Sequence, residues 1–344
     1  MIPPRSKSPG GEPALVVAGV VKQFDNHVAV DGISLEVPRG VVYGILGPNG
    51  AGKSTMLRMI NDIIAPDAGA ITILDGLKPG SAAAKRIGYL PEERGLYPKM
   101  RVVDMIRFVG ELRGMTSAES KRRADKWLER LGLSRWANNR VQDLSKGMQQ
   151  KVQFATALIH DPELVILDEP WSGLDPINAE VLRDVVDDVR ASGRTVLFST
   201  HQMEQAEKLC DVVCIIARGQ KVLDGTLEEL KRASSSEGVI ALGFVDAAAE
   251  ASAQSVLNDR SLVSLIQPGR PGGVGACEVK LVGGVVPQQL LAALVQSGVQ
   301  LRRFEVMVPT LHQIFVDRVG VDAAVAQRRM GTPNESGSRG ESRA

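Results

Sequence analysis

Gly47-Pro48-Asn49-Gly50-Ala51-Gly52-Lys53-Ser54 concentrates more chemistry than any other stretch of the chain. It fits the pattern GxxxxGK[ST], follows the apolar run VVYGIL and opens a helical run, KSTMLRMINDI. Glycines let backbone N–H groups turn inward and wrap phosphate oxygens. The helix that begins at Lys53, Ser54 and Thr55 adds the positive end of its dipole. Lys53 is the right length to reach β- and γ-phosphates, and the Ser54 hydroxyl suits a Mg²⁺ ion. The chemistry on offer is the handling of a nucleoside triphosphate.

Two carboxylates follow another apolar run, Leu164-Val-Ile-Leu167-Asp168-Glu169. A strand in a parallel sheet presents its C-terminal end at the ligand crevice. There Asp168 can hold Mg²⁺ through water, and Glu169 can orient and deprotonate an attacking water, which makes hydrolysis possible as well as binding. His201 closes the run TVLFSTH. A neighbouring strand would bring it to the same crevice, to donate to a γ-phosphate oxygen. His27, His160 and His312 have no such setting. Leu144-Ser145-Lys146-Gly147-Met148 starts a helix whose apolar face is Val152, Ala155, Leu158 and Ile159. Ser145 is a good N-cap, and Gly147 beside it leaves N–H groups open to an anion. A further carboxylate, Glu92, stands just past the short strand IGYL.

These residues need a scaffold. The chain has 344 residues, enough for two domains. Apolar content of 44% supplies a core, and 41 basic against 40 acidic residues give no overall field for nucleic acid or acidic lipid. Residues 101–140 hold ten basic and five acidic side chains, which reads as a solvated helical surface. Cys210, Cys214 and Cys277 show no metal-type spacing and read as reduced thiols of a cytosolic protein. No apolar run approaches the roughly 18 residues of a membrane span. ALVVAGVV, behind Arg5 and Lys7, imitates a signal peptide but runs on into KQFDNHVAV, so an edge hairpin is expected.

Residues 1–12 and 325–344 are rich in Pro, Ser and Gly and are expected to be disordered. Between them, residues 13–233 alternate short strands with helices, as a layered α/β fold does. Strands are expected at Val41–Leu46, Ile87–Leu90, Leu164–Leu167, Thr195–Ser199 and Val212–Ala217, with a helical insert over 102–160. In that insert Thr116 and Glu119 form a capping box, Gly132 stops the helix, and Ala124, Trp127, Leu128 and Leu131 are expected core. Residues 237–320 read βαββαβ, an α+β order that resembles a ferredoxin-like unit, with a hairpin marked by Pro268, Gly269, Pro271, Gly272 and Gly273.

Taken in order, the phosphate loop, LSKGM, LVILDEP, SGLD and STH resemble the nucleotide-binding subunit of ATP-binding-cassette (ABC) transporters, a P-loop NTPase fold with a helical subdomain. The resemblance covers about residues 14–232. It implies two such domains paired head to tail around two ATP molecules, so that Ser145 and Gly147 act on the nucleotide of the other subunit. Asp175 would lie at that seam, and is also a plain N-cap before Pro176. Phe24 stands where an aromatic side chain stacks on adenine in this family. LPEERGLYP, LSKGMQQK and STHQME are similar to a bacterial subset that works with separate permeases of the ABC-2 export type. Lys146 and Met148 depart from the family's usual glycine and glutamine.

Glu92 departs too, because glutamine is usual there, at the contact with Mg²⁺ and the attacking water. A carboxylate accepts hydrogen bonds and cannot donate them, and it is a harder metal ligand. Two readings stay open: a metal-side ligand, or a partner of Arg94 or of a permease residue. The resemblance implies an ATPase that uses ATP and Mg²⁺ and powers export. It would sit on the inner face of the cell membrane on a multi-spanning permease, paired with a second copy as a homodimer or with a paralogue, and with no nucleic acid partner. The alternative is a soluble ABC-type ATPase switching a non-membrane partner.

Overall fold

A computed structural model of the chain describes residues 12–93, 95–235, 238–268 and 276–320. The expected disordered ends lie outside these residues apart from Glu12, as do Arg94 and the hairpin glycines Gly269, Gly272 and Gly273. The described residues fall into two compact units, 12–226 with 316–320, and 227–315.

The first unit opens with β1 (Leu15–Phe24) and β2 (His27–Val37), antiparallel and joined at Asp25-Asn26. β3 (Val42–Leu46) leads through the glycine-rich loop into α1 (Lys53–Ile60), and β4 (Ala68–Ile73) returns to pair with β1. That pairing corrects the expected edge hairpin. The sheet order is β2-β1-β4, so β1 is the central strand and only β2 is an edge of the pair. KQF also belongs to β1, not to the second strand.

After α2 (Ser81–Ala84) and β5 (Ile87–Leu90) come three helices, α3 (Val102–Leu112), α4 (Ser117–Arg130) and α5 (Lys146–Leu158). β6 (Leu164–Asp168), α6 (Pro176–Ala191), β7 (Thr195–Thr200), α7 (Met203–Leu209), β8 (Val212–Ala217) and β9 (Gln220–Thr226) complete the unit. The larger sheet has the order β5-β6-β7-β3-β8-β9, parallel except for the β8–β9 hairpin. β3, β6 and β7 are buried along their whole length, as strands covered on both faces must be. One core joins Leu15, Val30 and Ile71 of the small sheet to Ile45, Ile166 and Leu197 of the large one. Met56 and Leu57 of α1 belong to the same core, so packing holds the helix behind the glycine-rich loop.

β5 fits against α5 only because residue 88 has no side chain. A Cβ on Gly88 would stand 2.2 Å from the Ala157 carbonyl oxygen and 2.8 Å from Pro162 Cγ. Gly88→Ala should therefore destabilise the protein by about 1–3 kcal/mol through overpacking. The check is the urea midpoint of unfolding, and an unchanged midpoint would refute the tight fit.

In α4, Thr116 Oγ1 accepts from the Glu119 N–H at 3.3 Å, and Gly132 follows the helix with φ +68°. Ala124, Leu128 and Leu131 are buried as expected. Trp127 is not core: it is half-buried and lines a cavity. Its position on the helix borders the apolar stripe, and burial there depends on what faces α4 across space.

The second unit runs α8 (Leu227–Ser235), β10 (Val239–Phe244), α9 (Ala247–Leu257), β11 (Val263–Pro268), β12 (Ala276–Leu281), α10 (Pro287–Gln296) and β13 (Leu301–Val306), and the last helix is α11 (Leu311–Val319). Its antiparallel sheet has the order β11-β12-β10-β13, that of a ferredoxin-like split βαβ unit. Ile240, Leu242 and Phe244 alternate onto the face covered by Ala253 and Leu257 of α9 and Leu290 and Leu294 of α10.

Candidate active site

Parallel pairing sets the C-terminal ends of the central strands level. Leu46 is opposite Thr200, and Asp168 is opposite Ser199. Everything that follows β3, β6 and β7 therefore emerges on one rim. α1 starts there from Gly52, at φ +103° and with no side-chain cap. A Cβ on Gly52 would fall 2.2 Å from the Ala29 carbonyl oxygen, so only glycine allows the loop to lie this close to β2.

Lys53 is 5% exposed. Its ammonium donates to the carbonyls of Gly47 at 2.9 Å and Pro48 at 3.2 Å, and stands 3.5 Å from Glu169 Oε1. Ser54 Oγ donates to Asp168 Oδ1 at 3.1 Å, and Ser199 Oγ donates to the same oxygen at 2.5 Å. Glu169 has φ +47°, a left-handed conformation uncommon for a side chain of its size, just past the end of β6. Its N–H donates to the Ser199 carbonyl at 3.1 Å. Thr200 Oγ1 donates to its Oε2 at 3.2 Å, and His201 Nδ1 lies 3.0 Å from its Oε1. The strained backbone is thus held by neighbours on β7, as strain of this kind must be to persist.

The charges are unbalanced. Burial pushes the Asp168 carboxyl up, with the hydrogen bonds from Ser199 and Ser54 pulling down and the Glu169 charge adding to the rise. Burial also pushes Glu92 up, reinforced by Asp168 and Glu169 and offset by Lys53 and Arg58. The hydrogen bond to Glu169 pushes His201 up. Among the described residues no group of three or more His, Cys, Asp or Glu forms a complete cage for a metal. What they do form is a hydroxyl, Ser54, on a carboxylate, Asp168, whose charged form burial disfavours.

The structure brings together Gly47, Pro48, Lys53, Ser54, Asp168, Glu169 and His201, with Glu92 within their electrostatic reach. Asn49, Gly50 and Ala51 form the turn between, where the Ala51 N–H bonds the Pro48 carbonyl, and Thr55 sits half-buried in the first turn of α1. Three other candidates stand apart. Ser145 caps α5, accepting from the Met148 N–H at 3.3 Å. Gly147 lies against Asn178, whose amide nitrogen would be 2.9 Å from an added Cβ. Asn178 in turn donates from its N–H to Asp175 Oδ1, the N-cap of α6. Phe24 is 45% exposed with the Lys22 ammonium 5.4 Å from its ring, so it is not strand core.

Reading along the chain missed Ser199 and Thr200, the hydroxyls that hold Asp168 and Glu169. Their only signal is two hydroxyl residues ending an otherwise apolar strand. Gln150 was missed too. It is 6% exposed, and its amide donates to the Pro170 carbonyl at 3.0 Å, tying α5 to the residue after Glu169. His160 is structural: its Nε2 lies 2.9 Å from the Ile87 carbonyl, and burial pushes its pKa down to about 4.

The ABC transporter family profile matches residues 30–172, which contain the glycine-rich loop, α5 and the Asp168-Glu169 pair. The Bacillus subtilis ABC transporter ATP-binding protein YhaQ is 38% identical over 306 residues, 89% of this chain and 98% of that one. The chain belongs to the ATP-binding subunits of ABC transporters. As such a subunit it is an ATPase, binding ATP and hydrolysing it for a membrane permease. A second profile, the C-terminal domain of DrrA1-3-like ATP-binding proteins, matches residues 225–319. The Nod factor export ATP-binding protein I of Ralstonia nicotianae is 39% identical over 223 residues, 64% of this chain and 70% of that one. A solved ATP-binding subunit of an ABC transporter superposes with a TM-score of 0.60 at 31% identity, covering 64% of this chain and 93% of that one. No helix among the described residues is long and apolar enough to cross a membrane.

Proposed function

We propose that this ABC ATPase powers export through a separate multi-spanning permease, working as a homodimer on the inner face of the cell membrane. The observation that carries the chemistry is the contact of Glu169, turned out of β6 at φ +47°, with both Lys53 and His201. In this reading residues 47–55 wrap the phosphates, Lys53 leaves the Gly47 and Pro48 carbonyls for phosphate oxygens, and Glu169 takes a proton from the attacking water. His201 donates to the γ-phosphate, and Phe24, being exposed, is free to stack on adenine. Ser145 and Gly147 meet the nucleotide of the second copy, as the family resemblance implies; among the described residues Ser145 caps α5 and Gly147 lies against Asn178. ATP binding closes the pair and hydrolysis reopens it. Export is supported by the likeness to the Nod factor export protein and by the ABC-2-like motifs.

The donor set fits Mg²⁺, which keeps water and phosphate oxygens and takes only one or two protein carboxylates. Ser54, Asp168 and Glu92 would hold it, and the burial that pushes Asp168 and Glu92 up, reinforced by the neighbouring carboxylates, is a cost to the charged forms that a cation offsets. Bound there, it would neutralise charge on the β- and γ-phosphates. Glu92→Gln should raise the Mg²⁺ concentration needed for half-maximal ATP binding and half-maximal hydrolysis. Identical Mg²⁺ curves for the two proteins would leave Glu92 to the other reading, a surface contact.

The test of the whole proposal is to capture tagged Glu169→Gln protein from detergent-solubilised native membranes with Mg-ATP and identify its partners by mass. A multi-spanning protein in a two-to-two ratio supports it. Capture of soluble partners alone overturns it.

A further inference from the structure

The basic excess of the helical insert is not spread over solvent alone. Part of it surrounds a cavity of about 540 Å³ within the first unit, between α4, the end of α5, the turn before β6 and the end of α6. Leu158, Ile159, Pro162 and Val189 give it an apolar lining. Arg122, Arg123, Lys126 and Arg130 line it from α4, with Glu129 and Asp161 as the acidic members. Trp127, expected in the core, is part of the wall, and the Arg130 guanidinium stands 5.7 Å from its ring.

The cations differ in what they already hold. Arg123 pairs with Glu119 at 2.7 Å, and Arg130 pairs with Asp188. Arg194, 4% exposed, pairs with Asp161 and bonds Ser192 Oγ, while its Nε has no partner among the described residues. Arg122 and Lys126 have no ion pair among the described residues, although both line the cavity. The volume lies in the usual range for small-molecule sites, roughly 300–1,000 Å³. An apolar floor, one indole and two unpaired cations on a single wall match a molecule with an apolar body and one anionic head. A polyanion would need more free cations than these two, because Arg123, Arg130 and Arg194 are already paired with Glu119, Asp188 and Asp161.

We infer that this cavity binds a small soluble amphiphilic anion, an aromatic or short alkyl body bearing one carboxylate or sulfonate. α5 and α6 end at the cavity and begin beside Ser145 and Asp175, so the bound anion touches the far ends of both helices. The experiment is isothermal titration of the full chain with 2-naphthalenesulfonate. One saturable site is expected. Arg122→Glu with Lys126→Glu should weaken it at least about ten-fold, and 2-naphthalenemethanol, the same ring without the charge, should bind at least about ten-fold more weakly. Trp127→Ala should weaken it as well, while Lys121→Glu, on α4 but outside the lining, should not. No saturable binding, or equal affinity in the Arg122/Lys126 variant, overturns the inference. So does co-sedimentation with phosphatidylglycerol vesicles that these two substitutions abolish when no naphthalenesulfonate site is found, because the basic wall then serves a lipid surface.

Discussion

Glu169→Gln should cut ATP hydrolysis by about 10²–10⁴-fold, the range expected for loss of a general base, while Mg-ATP binding persists. The substitution keeps the side chain's shape. It removes the charge that faces Lys53 at 3.5 Å and the acceptor that can take a proton. Thr200 Oγ1 can still donate to the amide oxygen, so the left-handed turn at residue 169 is expected to survive. The same variant should accumulate as an ATP-dependent dimer, because closure is proposed to need nucleotide and reopening to need hydrolysis. Size-exclusion chromatography with light scattering, with and without Mg-ATP, checks this. A strictly monomeric variant that binds ATP would sink the proposed trans arrangement and leave the base assignment standing.

Lys53→Ala should weaken ATP binding by about 10²-fold or more, as loss of one member of a buried, hydrogen-bonded charge pair costs about 2–5 kcal/mol. Two losses combine. The phosphates lose an ammonium placed at the start of α1, and Glu169 keeps its buried charge with only Thr200 and His201 beside it. Electrostatic repulsion between Glu169 and the γ-phosphate then loses the ammonium that stands 3.5 Å from the carboxylate. The check is equilibrium ATP binding, which separates this variant from Glu169→Gln: one loses affinity, the other turnover. Wild-type affinity in Lys53→Ala would mean that the ammonium does not leave the Gly47 and Pro48 carbonyls when nucleotide arrives.

The contrast between these variants reflects how the site is built. Lys53 and Ser54 are set by a contiguous loop and helix, and Glu169 by a strand more than a hundred residues later that needs β7 to hold it. Gln150 adds a third segment, since its amide reaches the Pro170 carbonyl from α5. A change at the start of α5 therefore has a hydrogen-bonded route to the residue after Glu169.

Reading along the chain was enough for whatever depends on neighbours in sequence. The glycine-rich loop is a backbone pattern of eight consecutive residues between a strand and a helix, and Asp168-Glu169 ends an unbroken apolar strand. The βαββαβ order of the second unit is likewise written in local periodicity, and it pairs in the ferredoxin-like order. Tertiary structure decided what depends on partners far along the chain. β4 made β1 central, and an AGAITI segment does not announce which strand it joins. Parallel register put Ser199 and Thr200 beside Asp168 and Glu169, about thirty residues away, where two hydroxyls in a strand look ordinary on their own. Trp127 sits at core spacing on α4, yet lines a cavity, because helical periodicity reports which residues share a face and not how closely that face is covered.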